Sequence, residues 1–249
     1  MNLNPQTMFV GQSVIYVLEL DSTNAYLKHF LKTEEAVEGI VVVTEFQTHG
    51  KGQQNNSWSS DKNKNALFSI LLKPKNLKAE ELCTLAFLVS LSIRAAVQKH
   101  IPKAEVKVKW PNDVMVGNQK VAGILIENKL NKSVESIIGV GLNVNQVEFD
   151  NLPNATSLKK VTKSAFDLGA VISDCLYYVE KYYLLTKRAE GLKQIWKLYV
   201  TQLYKLNEVI QVDGLLYSIS GVDCTGKLQI SNELGNRTLQ HKEAHIIWN

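Results

Sequence analysis

The pattern of apolar and polar positions predicts that strands and helices alternate along most of the chain. Short apolar runs rich in β-branched residues, which are typical of buried strands, occupy residues 14–20, 39–46 and 66–73. Between 79 and 100 the apolar residues recur at helical spacing, which predicts a long packed helix. A shorter helix is expected at 25–32, where helix-capping residues precede it.

The middle of the chain continues this alternation. Residues 106–116 alternate between apolar and polar side chains, but Pro111 lies among them, so we expect a strand that is interrupted there. A polar turn at Asn131-Lys132 is expected to join two further strands. The remaining elements predicted before residue 206 are these two strands and two long helices, at 120–128, 134–144, 164–186 and 190–203.

The pattern of residues changes after residue 205. Five short runs of β-type residues alternate with turn residues there, at 209–212, 215–221, 227–230, 237–240 and 244–248. A β module of this size has little core of its own, so we expect it to pack on the rest of the chain. We therefore predict two domains, 1–205 and 206–249.

Composition and charge exclude several classes of protein. The 249 residues carry a net charge of +4, from 28 basic and 24 acidic side chains, and no long basic run, so we do not expect a nucleic-acid binder. No apolar run exceeds the length of a strand, so we expect no membrane span. The N-terminus has no signal-peptide pattern, so we expect a cytoplasmic protein.

Cysteine and histidine give no signal for a disulfide framework or a metal site. The three cysteines are odd in number and far apart, and Cys83 and Cys175 fall in helical patterns, where we expect buried packing residues. His241 and His245 are four apart, but the surrounding pattern predicts a strand, in which they would lie too far apart to chelate a metal.

A long polar loop at 47–58 separates two predicted strands, and loops of this length inside a domain are usually functional or disordered. Gly50 and Gly52 flank Lys51, so backbone amides and an ammonium group can surround an anion there. Trp58 ends the loop and offers a flat apolar face to a ring. The loop therefore predicts a site for a phosphate and a heterocycle.

Four more clusters of polar or small residues lie at the ends of predicted strands or interrupt them, at 21–24, 109–113, 120–127 and 139–145. Each has an ordinary structural explanation. Helix capping explains Asp-Ser-Thr-Asn in the first, and a surface turn explains Lys-Trp-Pro-Asn-Asp in the second. Gly123 in the third cluster, like the two strand glycines of the fourth, indicates either a bulge or the close approach of a ligand.

Taken in order, the five clusters resemble the motifs of biotin–protein ligases, also called biotin–[acetyl-CoA-carboxylase] ligases. The resemblance covers about residues 14–145. It implies an α+β fold in which a mixed β-sheet backed by helices, of the class II synthetase and biotin–lipoate ligase type, precedes a small C-terminal SH3-like β-barrel. Only about a dozen residues precede the first predicted strand, too few for a DNA-binding helix-turn-helix, so we expect the monofunctional form.

The resemblance implies a reaction in two steps. The carboxylate of biotin attacks the α-phosphate of ATP and gives biotinyl-5′-AMP and pyrophosphate, with Mg²⁺ on the phosphates. A lysine amine in the biotin carrier domain of a biotin-dependent carboxylase then attacks the mixed anhydride and releases AMP. Relatives often pair through exposed strand edges, so a homodimer is a further expectation.

The resemblance also assigns residues to these steps. The catalytic residues are expected to be Lys51, Lys109, Asp113 and Lys120, with Asp113 as the general base for the carrier lysine. The residues expected to contact biotin are Ser22, Thr23, Asn24, Gln47, Gly50, Lys51, Gly52, Gln53, Lys120, Gly123, Leu125, Gly139 and Gly141, of which the last two and Gly123 would leave space for the bicyclic ring. The residues expected to contact ATP are Lys51, Gln53, Trp58, Asn112, Lys120 and Asn143. Trp58 would cover the adenine, Asn143 would read its edge, and Asn112 and Asp113 would hold Mg²⁺.

The loop departs from the family pattern, which is Gly-Arg-Gly-Arg-Arg-Gly-Arg-x-Trp. Lysine stands at 51, and the neutral residues at 53–56 replace three arginines and a glycine. Asn55 can still adopt a left-handed backbone, so we expect the turn to survive. The family's arginine at the position of Gln53 helps to retain the adenylate, so we predict a ligase that holds its intermediate less tightly.

Three other functions remain open. A lipoate or octanoate–protein ligase or transferase shares the catalytic fold, although the 109–113 motif together with the β-rich tail favours biotin. A biotin-dependent repressor would need a DNA-binding domain. A non-catalytic binder of a small molecule would require that the lysines be inert.

Overall fold

A seven-stranded mixed β-sheet forms the centre of the protein, for which the computed structural model describes residues 1–53, 56–130, 134–150 and 152–248. Its strands are β1 (Val14–Leu20), β2 (Val41–Gln47), β3 (Asn65–Leu72), β4 (Val106–Lys109), β5 (Asp113–Val116), β6 (Gln119–Leu130) and β7 (Val134–Asn143). They run in the order β1-β2-β3-β7-β6-β5-β4. Neighbouring strands are antiparallel, except that β1 and β2 are parallel.

Helices cover both faces of this sheet. They are α1 (Thr23–Thr33), α2 (Cys83–His100), α3 (Leu158–Thr162), α4 (Leu168–Leu185) and α5 (Gly191–Thr201), with a 3₁₀ turn at Ala79–Glu81 before α2. On β2, Val42 faces a core shared with α1, whereas Val41 and Val43 face the larger core shared with α2 and α4. Because both faces are buried, a central strand such as β3 is apolar at every position except Asn65 and Ser69. In the part of the chain that the structure describes, no helix is both long and apolar enough to cross a membrane.

Most elements lie where the apolar pattern predicts them, and β1 has the predicted bounds. The helix predicted at 79–100 begins only at Cys83. The helix predicted at 164–186 begins after Asp167, whose side chain accepts the Ala170 amide and caps α4. The short α3 was not predicted, because its 5 residues are too few to show a helical period.

The strand expected to break at Pro111 is instead a hairpin. β4 and β5 pair antiparallel, so that Lys109 and Asp113 lie directly opposite each other. Because Pro111 has no amide hydrogen with which to continue a ladder, the chain reverses at 110–112 instead of running straight. The turn thereby brings an ammonium group and a carboxylate together at one end of the sheet. The turn predicted at Asn131-Lys132 lies outside the described residues.

A second, five-stranded antiparallel sheet follows α5. Its strands are β8 (Val209–Val212), β9 (Leu215–Val222), β10 (Leu228–Asn232), β11 (Gly235–Leu239) and β12 (Ile246–Ile247), in the order β11-β10-β9-β8-β12. The predicted α+β class with a small C-terminal β module is confirmed. The strand predicted at 244–248 is reduced to β12, and the strand expected around His241 was wrong, because 241–244 form a turn.

Two indole groups join the sheets. Trp110 Nε1, in the turn between β4 and β5, donates to the Gly226 carbonyl at 2.9 Å. Trp196 Nε1 of α5 donates to the Val222 carbonyl at 2.7 Å. Buried residues of both sheets also belong to one apolar core. The C-terminal module is therefore docked beside the β4–β5 turn.

One cysteine departs from prediction. Cys175 is fully buried in α4, as expected. Cys83 is only half-buried, and its thiol donates to the Cys224 carbonyl at 3.1 Å. Cys83 therefore lies where the C-terminal module meets the rest of the protein, and not within the core.

Candidate active site

A cavity of about 310 Å³ opens at one end of the seven-stranded sheet. The start of α1, the 47–58 loop, the β4–β5 turn and the glycines of β6 and β7 meet there with the C-terminal segment 241–248. Most residues that the sequence assigned to biotin, ATP or catalysis line this one cavity. They are Ser22, Thr23, Asn24, Gln47, Lys51, Gly52, Gln53, Trp58, Lys109, Asn112, Asp113, Lys120, Gly123, Leu125, Gly139 and Gly141.

Gly50 and Asn143 take other positions. Trp58 donates its backbone N–H to the Gly50 carbonyl at 2.8 Å, so Gly50 closes the base of the loop. Asn143 lines a second cavity, of about 420 Å³, which shares Trp58 with the first. Its Nδ2 donates to the Thr156 carbonyl at 3.0 Å, so the backbone holds this amide group in place. The left-handed turn expected at Asn55 lies outside the described residues.

The start of α1 caps the helix and also forms part of the cavity wall. Ser22 accepts the Ala25 amide at 3.5 Å, which is the predicted cap. The next two residues, Thr23 and Asn24, are buried. Thr23 donates its backbone N–H to Gln47 Oε1 at 2.9 Å, which ties α1 to the end of β2. The capping explanation of this cluster therefore covers Ser22 alone.

Ser69, which no sequence pattern singled out, fixes the direction of the hydrogen bonds in this wall. It is fully buried in β3, with Oγ 2.7 Å from Thr23 Oγ1 and 2.6 Å from Asn24 Oδ1. Asn24 Nδ2 donates to Glu127 Oε2 at 2.9 Å, which sets the orientation of that amide. Because a hydroxyl has one hydrogen, Ser69 donates to Asn24 Oδ1 and cannot also donate to Thr23 Oγ1. The Thr23 hydroxyl hydrogen can go either to Ser69 Oγ or to Gln47 Oε1, which lies 3.2 Å from Thr23 Oγ1. Thr23 Oγ1 is left as an acceptor for the cavity and Gln47 Nε2 as a donor.

Protein side chains fill the space in front of the strand glycines that the sequence reserved for biotin. A Cβ at Gly139 would overlap the Asn24 amide, and a Cβ at Gly141 would overlap the Trp58 indole. At Gly123 a Cβ would lie 3.0 Å from the same indole. The missing side chains at these glycines therefore make room for Asn24 and Trp58, and all three glycines still line the first cavity.

Trp58 is one of the residues that line both cavities. Its Nε1 is buried and finds no hydrogen-bond partner among the described residues. Lys120 Nζ lies 5.6 Å from the centre of the indole, within reach of a cation–π contact. The apolar side chains lining the second cavity are those of Met115, Phe149, Leu152, Pro153, Ala155, Tyr204 and Trp248. A cavity with this apolar wall beside a set of charged groups suits a ligand with a ring at one end and charge at the other.

Charged groups concentrate where the two cavities meet. Lys120 Nζ and Asp113 Oδ1 form an ion pair at 2.6 Å. Lys109 lies across the β4–β5 pair from Asp113, and its Nζ is 5.0 Å from the Trp248 ring. Burial lowers the pKa of Lys109, opposed by Asp113, and Lys120 lowers it further. Lys51 lines the same cavity as Lys109 and Lys120, so the loop and the sheet present ammonium groups to one space.

The expected magnesium ligands differ in what they can offer. Asn112 Nδ2 donates to the Ile124 carbonyl at 2.6 Å, so this amide shapes the β4–β5 turn. Asp113 presents a carboxylate to both cavities. No cluster of three or more His, Cys, Asp or Glu side chains that could hold an ion occurs in the described ranges. A single carboxylate still fits Mg²⁺, which commonly binds one or two carboxylates together with phosphate oxygens and water.

The C-terminal segment was not predicted to take part in the site. Five of its residues line the first cavity: His241, Lys242, Ala244, Ile246 and Trp248. They reach it because the second sheet is docked on Trp110, in the β4–β5 turn. No local pattern signals this arrangement, since it depends on contacts between distant parts of the chain.

The fold and the two adjoining cavities define a class of protein, an α+β ligase with a small C-terminal β module. The chain belongs to the Biotin/lipoate A/B protein ligase family, whose sequence profile matches residues 14–145. The family resemblance noted from the motifs is therefore confirmed.

Curated proteins and solved structures agree with this membership. The chain is 29% identical over 251 residues to the bifunctional ligase/repressor BirA of Bacillus spizizenii, covering 97% of this chain and 76% of that protein. It is 31% identical over 166 residues to the biotin–[acetyl-CoA-carboxylase] ligase of Mycobacterium tuberculosis, covering 66% of this chain and 61% of that protein. The structure of the biotin protein ligase from Aquifex aeolicus in complex with biotin and ATP matches with a TM-score of 0.81 at 27% identity, covering 96% of this chain and 100% of that one.

Proposed function

We propose that this protein is a biotin–protein ligase, which converts biotin and ATP to biotinyl-5′-AMP and then transfers biotin to a lysine of a carrier protein. One observation carries the proposal. The neutral hydrogen-bonding groups of Thr23 and Gln47 line the same cavity as the ammonium groups of Lys51 and Lys120. Such a cavity suits a ligand with a polar, uncharged ring and an acid tail, and biotin is a molecule of this kind.

The uncharged end of the cavity matches a ureido group. A ureido N–H can donate to Thr23 Oγ1, and the ureido carbonyl can accept from Gln47 Nε2. The dithiolane ring of lipoate and the alkyl chain of octanoate have no such groups. They would leave the buried partners unpaired, at a cost of about 1–3 kcal/mol for each group. This asymmetry favours biotin over the lipoate or octanoate alternative.

The lysines serve the first step. The carboxylate of biotin and the α-phosphate of ATP are both negative, so Lys51, Lys109 and Lys120 offset their repulsion and the charge that develops on the phosphate oxygens. The carboxylate oxygen bonds to phosphorus while the bond from phosphorus to pyrophosphate breaks. The second cavity, which has several apolar side chains in its lining, receives the adenine, with Trp58 as one wall and Asn143 as another. Gln53 and the loop amides lie on the side of the phosphates.

Asp113 has two parts in this scheme. It holds Lys120 in the cavity through their ion pair of 2.6 Å. Together with substrate phosphate oxygens it would also hold Mg²⁺, with Asn112 shaping the turn that presents it. Bound there, Mg²⁺ supplies positive charge that stabilises the departing pyrophosphate.

The acceptor and the assembly are proposed on broader grounds. A curated relative is named as the ligase of acetyl-CoA carboxylase, so we take the acceptor to be the biotin carrier domain of a carboxylase. β1 is an edge strand that exposes Val14, Tyr16 and Leu18, which supports a homodimer through that edge. The division into domains 1–205 and 206–249 and a cytoplasmic location are part of the same proposal.

The proposal is tested by incubating the protein with biotin and Mg-ATP, measuring released pyrophosphate, and then measuring the mass of an added carrier domain. Pyrophosphate release should require biotin, and the carrier should gain the mass of one biotinyl group. Lys120→Ala should abolish the release, whereas Lys129→Ala, on the same strand but outside both cavities, should not. Release that depends on lipoate or octanoate and not on biotin would overturn the proposal.

A further inference from the structure

Building on the proposed ligase function, we propose that His241 is the base that accepts a proton from the carrier lysine in the second step. His241 lies in the turn before β12 and lines the first cavity. Its side chain is exposed, so it stands where the cavity opens to solvent. A lysine brought in on another protein can therefore reach His241 from solvent.

The imidazole is held in place by the β4–β5 turn. The rings of His241 and Trp110 meet edge to face, with 5.7 Å between their centres and an angle of 83°. Trp110 is itself fixed by its hydrogen bond to the Gly226 carbonyl. Because Asp113 begins the strand that leaves this turn, His241 stands beside the charged end of the cavity as well as beside its opening.

Asp113, the candidate base from the sequence, is engaged elsewhere. Its Oδ1 accepts from Lys120 Nζ at 2.6 Å. Protonation of Asp113 would weaken an ion pair that keeps Lys120 in the cavity for the first step. Asp113 is therefore a positioning residue for Lys120, and proton transfer in the second step needs another group.

The partly buried position of His241 favours the neutral imidazole, which is the form that acts as a base. Partial burial lowers the pKa of His241 and Lys242 lowers it further, whereas Asp113 raises it.

In the second step the carrier lysine arrives as an ammonium ion and passes one proton to His241. The nitrogen lone pair then attacks the acyl carbon of biotinyl-5′-AMP and forms the C–N bond. The bond from that carbon to the phosphate oxygen breaks, and its electron pair leaves on AMP. The nitrogen releases a second proton to water as the amide forms, and the imidazolium returns its proton to solvent. The products are one amide, one AMP dianion and two protons.

The test compares two histidine variants of the full chain. His241→Gln removes the base, and His245→Gln is the matched control, because His245 is exposed in the same segment and does not line either cavity. Each protein is first given biotin and Mg-ATP, and the pyrophosphate released reports the first step. Single-turnover transfer is then followed over pH 5–9 to two acceptors. One is a purified biotin carrier domain of a carboxylase, and the other is hydroxylamine, an amine that is largely unprotonated at pH 7.

We expect His241→Gln to transfer to the carrier lysine about 100-fold more slowly at pH 7, a loss far larger than any change in its release of pyrophosphate. The unaltered protein and the control should show a transfer rate that rises through an inflexion below the ordinary histidine pKa of about 6.5, and the variant should lack it. Transfer to hydroxylamine should change less than about twofold. An inflexion that persists in the variant, or an equal loss with both acceptors, would overturn the assignment. Absence of pyrophosphate from the unaltered protein would instead refute the ligase function itself.

Discussion

The Trp58 indole packs against Gly141 so closely that a Cβ at position 141 would overlap it. Two residues earlier on β7, Gly139 makes the same allowance for the Asn24 amide. Residues two apart on a strand share a face of the sheet, so the glycines are neighbours. They nevertheless accommodate different side chains. Asn24 lies at the end of the cavity proposed for biotin, and Trp58 forms part of the wall proposed for adenine.

This pairing predicts that two similar substitutions separate the substrates. Gly139→Ala should displace Asn24 and raise the KM for biotin about tenfold, a loss of about 1.4 kcal/mol, with a smaller effect on ATP. Gly141→Ala should displace Trp58 and affect ATP more than biotin. Gly123→Ala should be milder, because its nearest contacts, at 3.0–3.2 Å, are the edge of the indole and the flexible end of Lys120. Initial rates of pyrophosphate release give both constants, and equal effects of the first two substitutions would contradict the prediction.

A second prediction concerns Ser69, which orients Thr23 and Asn24. Ser69→Ala should lower the free energy of unfolding by about 1–3 kcal/mol, because two buried partners lose their hydrogen bonds, and should weaken biotin binding. Ser90→Ala is the matched control, since the Ser90 hydroxyl is equally buried and finds no partner among the described residues. Denaturant unfolding and calorimetric titration with biotin measure the two effects. If both variants behave alike, Ser69 has no orienting role.

A third prediction concerns Glu180, a carboxylate buried in α4. Its oxygens accept the backbone N–H groups of Met8, Phe9 and Val10 at 2.7, 2.8 and 3.0 Å. Glu180→Gln replaces one acceptor oxygen by an NH₂ group and should destabilise the protein by about 3 kcal/mol. Biotin affinity should be unchanged, since these residues lie outside both cavities. A substitution at the exposed Glu233, Glu233→Gln, should leave the unfolding midpoint where it is.

The loop gives a fourth prediction, about retention of the adenylate. Gln53 lines the first cavity as a neutral residue where the family pattern has arginine. Gln53→Arg adds a cation beside the phosphate and should reduce biotin labelling of a bystander protein that has no acceptor domain. Labelling of the carrier domain in the same mixture, read by mass spectrometry, serves as the internal control. Bystander labelling that is unaffected by the arginine would argue that other groups retain the intermediate.

The three cysteines give a fifth prediction, about their order of alkylation. Cys224 is exposed, Cys83 is half-buried and Cys175 is fully buried. Burial raises the pKa of the thiols of both Cys83 and Cys175, which reduces the reactive thiolate. Iodoacetamide at pH 8 should therefore modify Cys224 first, Cys83 more slowly, and Cys175 only after unfolding. Peptide masses after timed quenching report the order, and early modification of Cys175 would show that α4 opens in the native state.

The elements of the fold were predictable because each carries a local signal. β1 and the C-terminal strands were found from runs of β-type residues, and α2 and α4 from their helical period. The failures came where a contact distant in sequence decides the structure. Pro111 was seen as a break, but only the pairing of Lys109 with Asp113 shows that the break is a hairpin.

The site was predictable to the extent that motifs mark it. The residues that the sequence assigned to biotin, ATP or catalysis meet around two adjoining cavities, apart from Gly50. Ser69 and His241 escaped notice for different reasons. Ser69 is a polar residue in a mostly apolar strand, and its importance comes from its contacts with Thr23 and Asn24. His241 reaches the site only because a separate sheet is docked there.

The Trp58 side chain lines both cavities, so binding of the ligands proposed for them is coupled through it. If the ligand in one cavity displaces the Trp58 indole, the space left for the ligand in the other cavity changes. By thermodynamic linkage, the factor by which the vitamin changes the affinity for the nucleotide must equal the factor by which the nucleotide changes the affinity for the vitamin. A shift of the Trp58 indole on binding would therefore change the affinities for both ligands together.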